Sequence, residues 1–343
     1  MGLPASTLRQ SRQTAAPLDR ALAPVHAELR AVSRRMLGAL ADPVARRVVY
    51  LITAGGKRLR PALLLLTGSV GPAPDRRALI DAAAAVELIH TATLIHDDII
   101  DQSAVRRARP TFHHRWGAER ALLMGDYLYA TAFTLLARLE TPQVMRVMAD
   151  VCRQLCRGEL REVEARYRLD LSETEYLAII QDKTASLIGG CCQSGAILGG
   201  CSPEITRRLT AFGVQFGLAF QIIDDCLDLA GSPRRLGKSI HTDLDKGVLS
   251  LPIIYLTQRL GARERARLFA PLRAAEAKNG GGLDPALLSA IAETARSTGA
   301  IARAQERAQE LIRAAQAALA GIPVNGLGDA YRSLADYAMA RRS

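Results

Sequence analysis

Aromatic side chains are scarce, at 4% of the 343 residues with a single tryptophan among them. Recurrent Val/Ile-rich runs, which a buried parallel sheet requires, are missing too. What remains is abundant Ala and Leu, with Pro and Gly gathered at the ends of periodic segments, and this predicts an all-α protein. No stretch of about eighteen apolar residues runs unbroken, and the first twenty residues carry no apolar core of the kind a secretory signal needs. A soluble, cytoplasmic protein is expected. The six cysteines (Cys152, Cys156, Cys191, Cys192, Cys201 and Cys226) match no zinc spacing, and the adjacent pair at 191–192 is a poor disulfide framework. They read as small buried hydrophobes in a reducing compartment.

The formal net charge is +11, carried mostly by arginines spread along the whole chain. A basic balance raises the question of nucleic acid, but no basic-aromatic module accompanies it, and in the run from Arg157 to Arg168 the arginines alternate with acids as on a solvated helix face. Nucleic-acid binding is excluded as the main role; an anionic substrate, and peripheral contact with an anionic membrane surface, fit the charge better.

Acidic residues are concentrated at two places. Asp97, Asp98 and Asp101 fall within five residues, and so do Asp224, Asp225 and Asp228. Both groups sit in apolar, helix-patterned sequence, where acids at i and i+4 share a face and repel. A helix repeats that arrangement only with a cation to offset it. Carboxylates with no His or Cys at ligand spacing favour a hard, oxygen-seeking ion, and Mg²⁺ takes one or two protein carboxylates plus substrate phosphates. The residues themselves therefore indicate a magnesium–diphosphate site.

Along the chain, residues 1–20 form a flexible extension and 21–343 one helical domain. Helical patterning from 21 to 54 breaks at Gly55-Gly56, and Pro61 suits the first turn of the next helix. Long helices are expected at 77–102, 117–139, 143–167, 173–200 and 204–230, with shorter ones over 249–340 interrupted at Asn279–Gly282. The small residues between Gly189 and Gly200 would let helix backbones approach closely. His96 reads as a core histidine and His113-His114 as an exposed loop pair. Placement of both acidic groups at helix ends suggests partners facing across one cavity.

Taken in order, Gly55-Gly-Lys-Arg-Leu-Arg-Pro61, Glu87 to Asp101, Gly125-Asp-Tyr-Leu-Tyr129, Lys183-Thr184, Phe220-Gln221 with the second acidic group, and Gly237-Lys238 before Asp243-Leu244 resemble the trans-isoprenyl diphosphate synthases, the polyprenyl synthetase family, from about residue 45 onward. The resemblance implies Mg²⁺-dependent head-to-tail condensation of isopentenyl diphosphate with an allylic diphosphate by ionisation, condensation and elimination. It implies three Mg²⁺ ions per active site with the allylic diphosphate bound. Asp97, Asp101 and Asp224 would carry them, and Asp98, Asp225 and Asp228 would support ions, waters or basic neighbours. Arg106, Lys183 and Lys238 would grip the allylic diphosphate; Lys57, Arg60, His90 and Arg107 would hold the isopentenyl diphosphate; Thr184 and the carbonyl of Gln221 would stabilise the carbocation. The chain departs from the family at Ala108, where Gly is usual, and at Val248, where Lys is frequent, with Lys246 a candidate substitute.

Product length in this family is set by residues upstream of the first aspartates. Here those positions are Ala92 and Thr93, neither bulky, with Phe133 a candidate floor, which favours a product of about C30 to C50, since a helix rises about 1.5 Å per residue and deeper levels stay open. A homodimer is the family habit; a catalytic chain needing a small partner subunit, or a shorter-chain geranylgeranyl synthase, remains an alternative. A class I terpene cyclase would replace the second aspartate group by an Asn/Ser/Glu triad and lack the isopentenyl loop, and a noncatalytic regulatory subunit would lack the acids or Lys57 and Arg60.

Overall fold

The computed structural model describes residues 22, 25–40, 47, 49–50, 58–107, 109–230, 242–276, 283–322 and 328–340. Two compact units emerge, one of 1–153, 187–213 and 318–334, the other of 154–186, 214–317 and 335–343. The described elements, in chain order, are α1 (His26–Ala39), α2 (Leu59–Gly68), α3 (Arg76–Ile100), strands β1 (Val105–Arg106) and β2 (Arg109–Pro110), α4 (Phe112–Trp116), α5 (Ala118–Leu136), α6 (Pro142–Glu164), α7 (Glu173–Ile180), a π-turn (Gln181–Ala185), α8 (Ser186–Leu198), α9 (Pro203–Ala230), α10 (Thr242–Asp245), α11 (Leu251–Arg259), α12 (Ala262–Glu276), α13 (Pro285–Ser297), α14 (Ala300–Ala318) and α15 (Gly328–Ala340). The all-α expectation holds. The exception among the described residues is a two-residue antiparallel hairpin pairing Val105 with Pro110 and Arg106 with Arg109.

In the first unit, α3 is the central element, with α1, α2 and α5 packed on it. Its start is fixed by Asp75, whose carboxylate accepts from the backbone N–H of Arg77 at 2.9 Å and of Ala78 at 3.0 Å, satisfying donors that a helix N-terminus leaves open. From Ala82 to Val86, and again at Leu88 and Ile89, exposure is zero. Consecutive alanines allow neighbours on every side because they present no side-chain bulk. By length and composition α3 could cross a membrane, but 72% of its most apolar window is buried inside the protein, so its hydropathy is accounted for by core packing. Arg35 of α1 donates to both oxygens of Asp81, at 2.5 and 3.1 Å, and so pairs the one acid that α3 buries near its start.

Small residues act as expected in α8. A Cβ on Gly195 would fall 2.2 Å from the Leu64 carbonyl oxygen and from Thr67 Oγ1, and one on Gly199 would fall 2.3 Å from the Gly68 carbonyl oxygen. Thus α8 lies backbone to backbone on α2. In the second unit, α7 opens on a capping box in which Ser172 and Glu175 satisfy each other's backbone N–H groups, and α11 packs against α7 and α13.

The helix expected over 173–200 runs over 173–198 with the π-turn within it, where a Cβ on Gly158 of α6 would fall 2.4 Å from the Lys183 backbone nitrogen. Two readings need correction. His113 and His114 belong to the short helix α4 and not to a loop. His96 is only partly buried, its Nε2 3.1 Å from the Leu122 carbonyl oxygen. The break at Gly55-Gly56, the 1–20 extension and the interruption at 279–282 lie outside the described residues.

Gly195→Ala should lower stability by about 1–3 kcal/mol through overpacking against α2. A urea-unfolding midpoint equal to that of the parent would contradict the backbone contact.

Candidate active site

The first unit contains an anion-attracting pocket beside the first aspartate group. It encloses about 540 Å³, part of it open to solvent, and is lined by Arg58, Arg106, Arg107 and Arg109 against only two carboxylates, Glu87 and Asp98. The apolar part of its wall comes from Leu94 and Ile95, on the turn between His90 and Asp98. Helix α3 thus places the pocket and the acids on successive turns of one rod.

Each arginine is placed by a specific contact. Arg58 holds a left-handed backbone (φ +47°) at the N-cap of α2 and donates to Glu87 at 2.5 Å. Arg107 also has positive φ, +52°, beside Ala108, which lies outside the described residues; burial lowers its pKa from the usual arginine value. Arg106 Nε donates to Asp98 at 2.7 Å. Asp98 is pushed up from the ordinary aspartate range because burial outweighs the attraction of Arg106.

His90 has its state dictated by this company. Arg60 Nη1 lies 3.1 Å from His90 Nε2, and a guanidinium can only donate, so Nε2 is the acceptor and the proton sits on Nδ1. Although the residue keeps some surface exposure, dense packing round the ring is the largest influence on it. Burial, then Arg60, Arg107, Arg106 and Arg58, hold His90 well below the ordinary histidine value.

Asp97 and Asp98 occupy the last turn of α3 and Asp101 its C-cap, with no basic residue in that turn. The closeness of α5 here depends on Gly125, whose Cβ would lie 2.1 Å from His96 Nε2. Ala92 is fully buried, Thr93 donates to the His90 carbonyl oxygen at 2.8 Å, and Phe133 is half-buried on α5. Lys57 lies outside the described residues.

The second unit gathers the other predicted residues round the π-turn, the kind of helix defect that is frequent at functional sites. Thr184 donates to Gln221 Oε1 at 2.9 Å, Gln221 Nε2 donates to Asp225 Oδ1 at 2.7 Å, and the Tyr176 hydroxyl donates to Asp225 Oδ2 at 2.6 Å. Lys183 forms ion pairs with Glu159, at 2.8 Å, and with Glu162. Burial pushes Asp225 up to about 7, with Asp224 and Glu162 adding to the rise. Asp243 is driven well above the usual range by burial and then by Asp228, Asp225 and Glu162; its carbonyl oxygen accepts from Val248 N–H at 2.9 Å. The Asp243 N–H is 3.3 Å from Asp228 Oδ2. Lys238 lies outside the described residues.

The donor set at both aspartate groups is entirely carboxylate, which suits a hard divalent cation. Among the described residues no three His, Cys, Asp or Glu side chains converge into a ready cage.

A family model described as polyprenyl synthetase matches residues 42–281. The chain is 37% identical over 295 residues to heptaprenyl diphosphate synthase component 2 of Geobacillus stearothermophilus, covering 86% of this chain and 89% of that one. It is 37% identical over 297 residues to nonaprenyl diphosphate synthase of Mycobacterium tuberculosis, covering 86% and 85%. The crystal structure of polyprenyl synthase from Caulobacter crescentus CB15, complexed with calcium and isoprenyl diphosphate, matches with a TM-score of 0.88 at 33% identity, over 95% of this chain and 98% of that one. The chain belongs to the polyprenyl synthetase family. As a polyprenyl synthetase it is a prenyltransferase.

Sequence reading missed several members of the two sites. Glu87 and Arg58 lie inside the quoted motifs, but nothing in their spacing marks them as a pair. Tyr176, on α7, has no sequence signal. Glu159 and Glu162 were hidden in the Arg157–Arg168 run, read as a solvated face. In fact Arg157 and Arg161 reach the buried Asp182.

Because the folded protein disfavours protonated His90, its contribution to stability is complete above the unfolded value near 6.5 and is lost as pH falls below it. The urea midpoint of the parent should therefore drop more steeply between pH 7 and 5 than that of His90→Gln. Parallel curves would show that His90 is not held neutral.

Proposed function

We propose that this polyprenyl synthetase catalyses Mg²⁺-dependent head-to-tail condensation of isopentenyl diphosphate with an allylic diphosphate such as farnesyl or geranylgeranyl diphosphate, giving a trans-polyprenyl diphosphate of about C30 to C50, the length that small residues on successive turns of a helix rising about 1.5 Å per residue would allow. The observation that carries the reading is the arginine-lined pocket adjoining the first aspartate group on the same helix. Arg60, neutral His90 and Arg107, with Lys57 by similarity, bind the isopentenyl diphosphate without a metal. Asp97, Asp101 and Asp224 are the metal ligands, and Arg106, Lys183 and Lys238 bind the allylic diphosphate. Bound Mg²⁺ offsets the charge that develops on the departing diphosphate.

The carbocation left by ionisation needs oxygen lone pairs nearby and little water. Thr184 Oγ1 and Gln221 Oε1 supply them, and the Thr184–Gln221–Asp225–Tyr176 chain fixes the orientation of both side chains. Attack by the isopentenyl double bond forms the new C–C bond. The resulting cation then loses a proton to the released diphosphate, since no side chain is placed as an obvious base.

Ala92 and Thr93 present no bulky side chain upstream of the aspartates, buried Ala85, Leu88 and Ile89 lie deeper along α3, and Phe133 is the proposed floor. Homodimer formation, cytoplasmic residence and peripheral membrane contact during product release complete the reading. A second reading, a catalytic chain that needs a small partner, is favoured by one observation: the Geobacillus relative is named component 2.

Purified chain alone, given Mg²⁺, farnesyl diphosphate and labelled isopentenyl diphosphate, should incorporate label into a polyprenyl product. Incorporation only after a second protein is added would establish the two-component reading. Asp224→Ala should reduce kcat by about a hundredfold or more, as loss of one strong electrostatic stabiliser does, and near-parental turnover would remove that residue from the metal set. Ala92→Tyr should shorten the product sharply, and an unchanged product ladder on chromatography would refute the chain-length assignment.

A further inference from the structure

Helix α6 grips the π-turn from two sides. On one, Arg157 donates to both oxygens of Asp182 at 2.7 and 2.6 Å, and Arg161 adds a contact at 3.0 Å. Asp182 is 3% exposed, Ser186 Oγ donates to its carbonyl oxygen at 2.6 Å, and the missing side chain of Gly158 admits the Lys183 backbone. The backbone that carries Lys183 is therefore fixed. On the other side, Lys183 Nζ sits between Glu159 and Glu162, one turn apart on α6.

Neutralising one ammonium requires one carboxylate, and this site provides two. The second is costly, because Glu159 keeps its other oxygen, Oε1, buried without a hydrogen-bond partner. Such an arrangement does little for stability. It does restrain a side chain with four rotatable bonds.

We propose that Glu159 and Glu162 are positioning residues that hold Lys183 Nζ in place for the allylic diphosphate. The inference rests on the reading of Lys183 as an allylic-diphosphate ligand. It turns what looks like surface charge on α6 into part of the reaction's machinery: Arg157 and Arg161 fix the turn, and the two glutamates aim its lysine.

The test is steady-state kinetics on the full chain, varying each substrate in turn at saturating Mg²⁺. The isosteric double variant Glu159→Gln/Glu162→Gln should raise KM for the allylic diphosphate about tenfold or more, the scale seen when supporting residues are removed, with KM for isopentenyl diphosphate within about twofold. Its urea midpoint should not fall, and Glu162→Asp should restore part of the loss. Single variants carry the same sign at about threefold each, so a double variant that fails to fold leaves the test intact. An unchanged allylic KM, or equal increases for both substrates with a lowered midpoint, would overturn the proposal. Lys183→Ala separates the two levels. If it raises the allylic KM while the glutamate variants do not, only the positioning role falls; if it leaves that KM unchanged, the reading of Lys183 falls and the positioning role with it.

Discussion

Carboxylates crowded at the C-terminal end of a helix oppose two fields at once, their own mutual repulsion and the negative end of the helix dipole. Both α3 and α9 end in this way, and neither has a basic residue in its last turn. Much of the surrounding chemistry follows from how each unit meets that cost. In the first unit, Arg106 from the hairpin is brought onto Asp98. In the second, Asp225 is met by neutral donors, the Tyr176 hydroxyl and the Gln221 amide, which orient the carboxylate without cancelling its charge. Burial outweighs those donors and, with Asp224 and Glu162 adding to the rise, pushes Asp225 up to about 7. The second unit is left with a deficit of positive charge that a cation can fill.

The arginine pocket presents the opposite problem. Four guanidiniums repel one another, and the structure offsets this with Glu87 and Asp98 while using a histidine that accepts instead of adding another charge. A neutral His90 keeps a donor on Nδ1 without raising the positive potential further. An anionic ligand entering the pocket gains from the remaining excess and relieves it, so affinity for diphosphate and electrostatic relief come from one arrangement.

The sequence made the all-helical class legible because α3, α5, α6 and α9 are long and strongly periodic, and their observed ends lie within three residues of the expected ones. The aspartate groups were legible because acids spaced i and i+4 in apolar sequence repel one another unless a cation joins them. What could not be read were features that depend on two distant segments. At the π-turn Gly158 lets α6 approach the Lys183 backbone, and the neighbouring Arg157–Asp182 pair joins positions 25 residues apart. Tyr176 meets Asp225 across 49 residues. Likewise, Arg157, Glu159, Arg161 and Glu162 alternate in charge as a solvated face would, and local pattern cannot distinguish a face turned to water from one turned to a buried Asp182 and to Lys183.

The absence of a ready three-ligand cage among the described residues bears on the order of events. A cage built wholly from protein would bind metal whether or not substrate were present. Here burial and neighbouring acids raise Asp225 and Asp243 above the usual carboxylate range. A divalent cation arriving alone must displace that proton affinity and still lacks ligands. A cation arriving with diphosphate brings oxygen ligands of its own, and the charge it adds restores the ionised state of the carboxylates. Under the proposed mechanism metal and diphosphate affinity are linked, each increasing the other by the same factor, because the diphosphate supplies oxygen ligands that the protein does not.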